Sequence, residues 1–303
     1  MHPRWNRNSP AQTMTEHARN VASCFSASTL KRLLSGEVPE SFESALQTVR
    51  HPTGCLGNLL VSAAFDRLYA YLRRHYRTEY VYKNAIATKL VLGRHTLARS
   101  VLLREVIVDR SVADVVVING TSTAYEIKTE LDSYARLPSQ LKSYHKAFDQ
   151  ICIVTHPDMA GAVLRTVDNT VGVLTLSSRY TLQTIRKPVS NMASVEPAVV
   201  FDLLRKDEYI SIIKDAFGLV PDVGNTLIYA ACKELFVTLS PTRAHRYMTL
   251  ALRARRASPR QRTFVDSAPH SLKLLAVTTR FSQAEKSAIA ATLQTPVSEL
   301  LNR

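Results

Sequence analysis

The run from Ala113 to Tyr144, ADVVVINGTSTAYEIKTELDSYARLPSQLKSY, constrains the fold more than any other stretch of the chain. An apolar segment, Ala113–Asn119, ends on Asn119-Gly120, and a second strand-like segment follows over Thr123–Thr129. Asn-Gly between two such runs is a strong hairpin signal. Side chains alternate along a strand, so Glu126 and Lys128 share one face and Ile127 takes the other. A helix is predicted over Leu137–Ala147, with Pro138 tolerated in its first turn. Gln140 and Tyr144 are four apart and lie on one helical face. Two carboxylates (Asp114 and Glu126), a lysine, a glutamine and a tyrosine therefore converge on one edge of a small sheet.

Around this stretch the pattern is α/β. Helices are expected over Ala27–Leu34 and Glu40–Val49. His51-Pro52-Thr53-Gly54 then breaks the chain, and helices follow over Gly57–Tyr76 and Thr78–Leu92. Strands read at Ser100–Val108, Ile151–Thr155, Val171–Leu176 and Tyr180–Ile185, with a helix near Pro157–Arg165. Lys187–Asn191 looks like a boundary. Beyond it the text is helical: Ala198–Arg205, Glu208–Phe217, Asn225–Leu239, Arg243–Arg255 and Gln283–Leu293. Residues 1 to about 25 read as polar and mobile. Three regions are expected: a helical segment over 1–77, a core over 78–190 and a basic helical domain over 191–303.

A chain of 303 residues can build a full core. Its formal charge of +14 is high and points to a polyanionic partner, nucleic acid or an anionic membrane surface. The segment from Ser240 onward holds nine Arg and two Lys against one Asp and two Glu, a net +8. Within it Arg253, Arg255, Arg256, Arg260 and Arg262 form a candidate phosphate-binding strip. The plainer reading is a solvated helix end and loop. Few aromatics interleave with it, so contact would be backbone-directed and weakly sequence-specific. Cys24, Cys55, Cys152 and Cys232 lack zinc-type spacing and read as isolated thiols of a reducing compartment. The basic start is followed by no apolar stretch, and no run approaches the roughly 18 residues of a spanning helix. A soluble, cytoplasmic protein without membrane contact is expected.

A hard divalent cation takes oxygen ligands, and Mg²⁺ typically keeps waters and phosphate oxygens beside one or two carboxylates. Asp114 and Glu126 on paired strands would supply those carboxylates, and the Ile127 backbone carbonyl a further ligand. Lys128 would sit where charge develops on a phosphoryl group. Each residue has a bland alternative: Asp114 in a structural ion pair, Glu126 and Lys128 alternating on a solvated face. His145, beside Tyr144 but on another face of its helix, reads as a surface histidine rather than a general base, and His95, His156, His245 and His270 lack ligand spacing and read as structural or exposed. Glu130 and Asp132 read as loop residues leading into the helix. No phosphate-binding Gly-Lys loop, Gly-x-Ser-x-Gly elbow or His-Glu-x-x-His pair occurs.

Asp114, Glu126-Ile127-Lys128 and Gln140-Leu-Lys-Ser-Tyr144 together resemble the PD-(D/E)XK nuclease superfamily, in its RecB-like branch with a Gln-x-x-x-Tyr motif. The text is also similar to a group of bacterial proteins that share YEIKTELDS…RLPxQLxxY. The motifs cover about Glu79 to Thr155. Val112-Ala113-Asp114 departs from the pattern in lacking its proline. The resemblance implies a restriction-endonuclease-like mixed central sheet flanked by helices. It implies Mg²⁺, replaceable by Mn²⁺, on Asp114 and Glu126, with Lys128 assisting the water and Gln140 and Tyr144 in support. An additional acid would come from Glu79 or, in competition, Glu105. The expected activity is hydrolysis of phosphodiesters, DNA favoured over RNA, and a defence or mobile-element setting fits it. The rival readings are a catalytically silent nucleic-acid-binding scaffold and a subunit that needs a protein partner or a second copy.

Overall fold

The computed structural model describes residues 10–49, 59–93, 97–130 and 132–302, with side chains described from residue 17. The expected break at His51–Gly54, as well as Cys55 and His95, lies outside the described residues. The chain divides into two compact units, one of Met1–Asn84 with Pro259–Arg303, the other of Ala85–Ser258. Among the described residues no helix is long and apolar enough to cross a membrane.

The second unit holds a mixed six-stranded sheet in the order β1-β2-β3-β4-β5-β6. The strands are β1 (Val101–Val108), β2 (Ser111–Ile118), β3 (Ser122–Lys128), β4 (Gln150–Thr155), β5 (Gly172–Leu176) and β6 (Leu182–Arg186). β1, β2 and β3 run antiparallel, β3, β4 and β5 parallel, and β6 antiparallel to β5. The parallel steps are made by the two expected crossovers. One carries the Leu137–His145 helix. The other carries a 3₁₀ turn, Pro157–Met159, and the Ala160–Thr166 helix. The β2–β3 turn falls on Asn119-Gly120, where Gly120 takes the left-handed conformation at φ 77 that a side chain would resist.

One sheet face is packed by the Leu137–His145 helix and, further along the chain, by helices Pro197–Phe201, Lys206–Phe217, Ile228–Phe236 and Pro241–Ala254. Tyr144, Phe148, Phe201, Phe236, Met248 and Leu252 share one core with Val116, Ala124 and Ile153. The boundary expected at 190/191 therefore runs through a single unit. The chain divides instead at 84/85 and 258/259. The physical reason is coverage: six strands present more apolar face than the two short crossover helices can bury, so the later amphipathic helices join the same core.

Two local features depart from the expected regularity. The predicted helix over Thr78–Leu92 is α-helical only over Glu79–Ala85 and continues as a π-helix over Ile86–Leu92. In β1 the inward positions are Val101 and Leu103 before Glu105, but Val106 and Val108 after it. The change of parity falls at Glu105. It has φ 53, a conformation unfavourable to a residue with a Cβ, and the ladder passes it over between Arg104↔Val115 and Val106↔Ala113.

The other unit is helical throughout its described residues. Helices Ala27–Leu34 and Glu40–Thr48 match the expectation, and Val61–His75 lies inside the longer helix expected there. Pro10–Ser23, read as mobile, is a helix whose Ala18 and Val21 are buried. Helices at Pro259–Ser267, Lys273–Thr278 and Val297–Leu301 were not expected.

A buried histidine pins the sheet to its cover. His245, on the Pro241–Ala254 helix, places Nε2 2.7 Å from Ser122 Oγ at the start of β3, and Ser122 Oγ accepts from the Asp149 N–H. Burial pulls the imidazole below its ordinary pKa, against the opposing pull of Asp149. The unfolded chain thus binds the proton more readily. Stability from this group is complete above the ordinary value near pH 6.5 and is lost as pH falls below it. His145 is half-buried rather than exposed and shifts the same way, first through burial. The urea midpoint is expected to fall between pH 7 and pH 5, and His245→Gln should flatten part of that slope. An unchanged slope in the variant would remove His245 as a source.

Candidate functional site

Four of the predicted side chains meet in one network. β3 ends with Glu126-Ile127-Lys128, and alternation aims Glu126 and Lys128 at the Leu137–His145 helix, where Gln140 and Tyr144 are one turn apart. Glu126 and Lys128 are 2 % and 7 % exposed, so neither charge is solvated and each needs a partner. Lys128 Nζ lies 3.0 Å from Glu126 Oε1. Gln140 closes the ring: its Nε2 donates to Glu126 Oε1 at 2.6 Å and its Oε1 accepts from Lys128 Nζ at 3.0 Å.

Tyr144 OH lies 2.7 Å from both Glu126 Oε2 and the Val112 carbonyl. Its single proton serves one or the other. Burial, and then the Glu126 charge, push the phenol well above its ordinary pKa, so it remains a donor. Thr155, opposite Lys128 in the β3–β4 ladder, donates its hydroxyl to the Lys128 carbonyl at 2.7 Å. Thr155 was not anticipated. Its part depends on the β3–β4 register, which no local sequence signal reveals.

Asp114 stands beside the ring. The β2–β3 ladder closes at Val115↔Tyr125, so the next pair in register would be Asp114 and Glu126. Backbone pairing stops there and the Asp114 carboxylate replaces it, with Oδ2 accepting from Ile127 N–H at 2.8 Å. The β1–β2 register sets Glu105 opposite Asp114, on the kinked and exposed position of β1. Glu79 belongs to the other unit, where its carboxylate pairs with Lys83 one helical turn on.

The donor set fits a hard cation by its chemistry. An ionised carboxylate offers about four lone-pair positions; Glu126 spends three, on Gln140, Lys128 and Tyr144. Asp114, Glu126 and the Ile127 carbonyl are all oxygen ligands, as Mg²⁺ requires. Among the described residues no group of three His, Cys, Asp or Glu is placed to hold a metal. Two carboxylates with waters or phosphate oxygens completing the shell is thus the arrangement these residues could supply.

The remaining expected residues are distributed differently. Arg255 Nε donates to Glu208 Oε1 at 2.6 Å, and a terminal nitrogen of the same guanidinium bonds Glu208 and the Leu203 carbonyl. Burial raises the Glu208 pKa, but the Arg255 contact and the Arg205 N–H outweigh it and the net direction is down. Arg255 therefore ties its helix to Glu208 and the Leu203 carbonyl. Arg253 and Arg256 share its unit, whereas Arg260 and Arg262 belong to the other. Glu130 pairs with His156 at 3.1 Å. Asp132 accepts from the N–H and hydroxyl of Thr129, which fixes the loop after β3. Cys24, Cys152 and Cys232 are free and buried, as expected of isolated thiols.

Comparison with known proteins adds a lineage. The family model described as bacteriophage P4 protein cII matches residues 73–268. A curated relative, protein cII of Enterobacteria phage P4, is 38% identical over 66 residues, 22% of this chain. The chain spans about a quarter of that relative's length, 25%. Among solved structures, a protein of unknown function from Silicibacter pomeroyi aligns with 42% of this chain and 87% of its own at 16% identity and a TM-score of 0.29.

Proposed function

The chain belongs to the bacteriophage P4 protein cII family, and for this member we propose a metal-dependent nuclease that hydrolyses DNA phosphodiester bonds, built on a restriction-endonuclease-like core. The observation that carries the reading is the buried ring of Glu126, Lys128 and Gln140, closed by Tyr144, with Asp114 at the next strand position. Burying two opposite charges in a sheet costs more than packing apolar side chains of similar size, so such a ring is a poor choice for stability alone. It is an apt one for holding a carboxylate and an ammonium at fixed positions.

In this reading Asp114, Glu126 and the Ile127 carbonyl would hold Mg²⁺ or Mn²⁺, with Glu105, opposite Asp114 by strand register, the candidate for an added acid. An ion held there would supply an activated water and stabilise the leaving oxygen. Lys128 brings a positive charge to the attacked phosphate. Gln140 is a positioning residue: it fixes the glutamate and the lysine relative to each other through opposite ends of one amide. Tyr144, kept protonated, orients the second oxygen of Glu126. The basic charge of the chain favours a polyanionic substrate.

One observation favours a second reading. Lys128 already neutralises Glu126 and the ring's polar groups bond one another, as a scaffold without chemistry would have them. The two separate in one assay. Labelled linear and circular DNA, with RNA in parallel, are incubated in Mg²⁺, Mn²⁺ or EDTA, alongside Asp114→Ala. The nuclease reading expects cleavage that EDTA and Asp114→Ala abolish. A silent wild type whose DNA binding survives Asp114→Ala would establish the scaffold. A silent wild type with a metal-induced thermal shift that needs Asp114 would point to a partner-dependent subunit.

A further inference from the structure

The sheet carries a second concave site on the face opposite Glu126 and Lys128. Odd-numbered residues of β2 and β3, among them Val117, Thr123 and Tyr125, line a groove of about 400 Å³ together with Gln150, Thr184, Lys187 and Leu90. That volume falls within the range of small-molecule pockets. The groove lies toward the amino ends of β3 and β4, whereas Glu126, Lys128 and Thr155 lie toward their carboxyl ends.

Its chemistry is selective. Lys187 brings a positive charge and no carboxylate lines the walls. Thr123 donates to Gln150 Oε1 at 3.2 Å, which turns the two N–H groups of the Gln150 amide away from that bond as available donors. Among the described residues no hydrogen bond or ion pair engages the Lys187 ammonium, the Thr184 hydroxyl or the Gln150 amide nitrogen. Three polar groups from two segments, Gln150 on β4 and Thr184 with Lys187 at the end of β6, thus converge on one space. Tyr125 and the apolar side chains of Leu90, Val117 and Leu174 supply flat, unpolar wall between them.

Two backbone features shape the same space. Leu90 belongs to the Ile86–Leu92 π-helix, a rare conformation found most often at functional sites. Gly172 lies beneath the wall; a Cβ there would come within 2.8 Å of Cys152 Sγ and of Pro188 Cδ, both groove residues. Only glycine lets β5 approach so closely.

We propose that this groove binds a nucleoside phosphate, with the phosphate on Lys187, the base against Tyr125 and Leu90, and Gln150 and Thr184 reading its polar edges. An uncompensated lysine selects an anion, the amide and hydroxyl donors select a polar ligand, and the apolar walls select one with a flat ring. The proposal stands on the groove alone and does not depend on cleavage at the other face.

The test uses the full chain in calorimetric titration and thermal shift, without added metal. The probes are adenosine and guanosine 5′-monophosphate, the free nucleosides and orthophosphate. Saturable binding of a monophosphate is expected, about tenfold weaker or more for its nucleoside and for orthophosphate. Lys187→Glu, on an exposed side chain, should weaken it by at least about tenfold, the size of one charged contact. Thr184→Val should weaken it less, and Asp114→Asn should leave it unchanged. No saturable binding overturns the proposal. Orthophosphate binding as tightly as the monophosphate overturns the ligand class. Loss in Asp114→Asn with retention in Lys187→Glu moves the ligand to the other face and overturns the site.

Discussion

Lys128→Ala should abolish metal-dependent cleavage and destabilise the sheet-bearing unit by about 3–5 kcal/mol, the usual cost of leaving a buried charge without its partner. Glu126 is 2 % exposed and keeps only Gln140 and Tyr144 in the variant, neutral donors that bond the carboxylate without cancelling its charge. Urea unfolding followed by circular dichroism measures the loss. For a domain of this size each kcal/mol corresponds to about 2–4 °C in Tm. The double variant Glu126→Gln/Lys128→Met removes both charges and should regain most of the lost stability while staying inactive. A loss below about 1 kcal/mol in Lys128→Ala would mean that the pair is solvated and the ring is no fixed element. The two readouts are independent. Lost stability with no cleavage and no metal-induced thermal shift in the wild type would leave a structural network and remove the enzyme.

The core of this site was legible because its signals are local. The β2–β3 turn and the alternation of Glu126 and Lys128 follow from a few neighbouring residues. So does the one-turn spacing of Gln140 and Tyr144, and the structure brings these four side chains into contact. What the sequence hid depends on distance along the chain. Arg255 reads as one more charge in a basic run, and only the fold brings Glu208, 47 residues earlier, under its guanidinium. The resemblance puts Glu79 ahead of Glu105, but it is Glu105 that lies on the strand beside Asp114. The helix Pro10–Ser23 was missed because few of its side chains are large and apolar, its described buried contacts being Ala18 and Val21. The π-helical turn of Ile86–Leu92 has no signature in composition that separates it from an α-helix.

Phe236→Ala should cost about 3–5 kcal/mol and loosen strands far earlier in the sequence. Phe236 is fully buried on the Ile228–Phe236 helix, its ring 5.3 Å from that of Phe201. Both belong to the core that includes Tyr144, Val116 and Ile153. If these helices formed a domain of their own, as the helical text after residue 191 suggests, the cavity would speed amide exchange only between about 197 and 254. A shared core requires more. The amides of β2, β3 and β4 should lose protection together with the helices, because openings of one cooperative unit expose all of its hydrogen bonds at once. Native-state hydrogen exchange separates the two outcomes, and unchanged protection in β3 would restore the boundary near 190. The same coupling reaches the ring through Tyr144, which is at once a core residue and the donor on Glu126. A cavity at Phe236 should therefore weaken the placement of Glu126 as well. Catalysis, if this face supports it, should fall further than the fraction of unfolded protein accounts for.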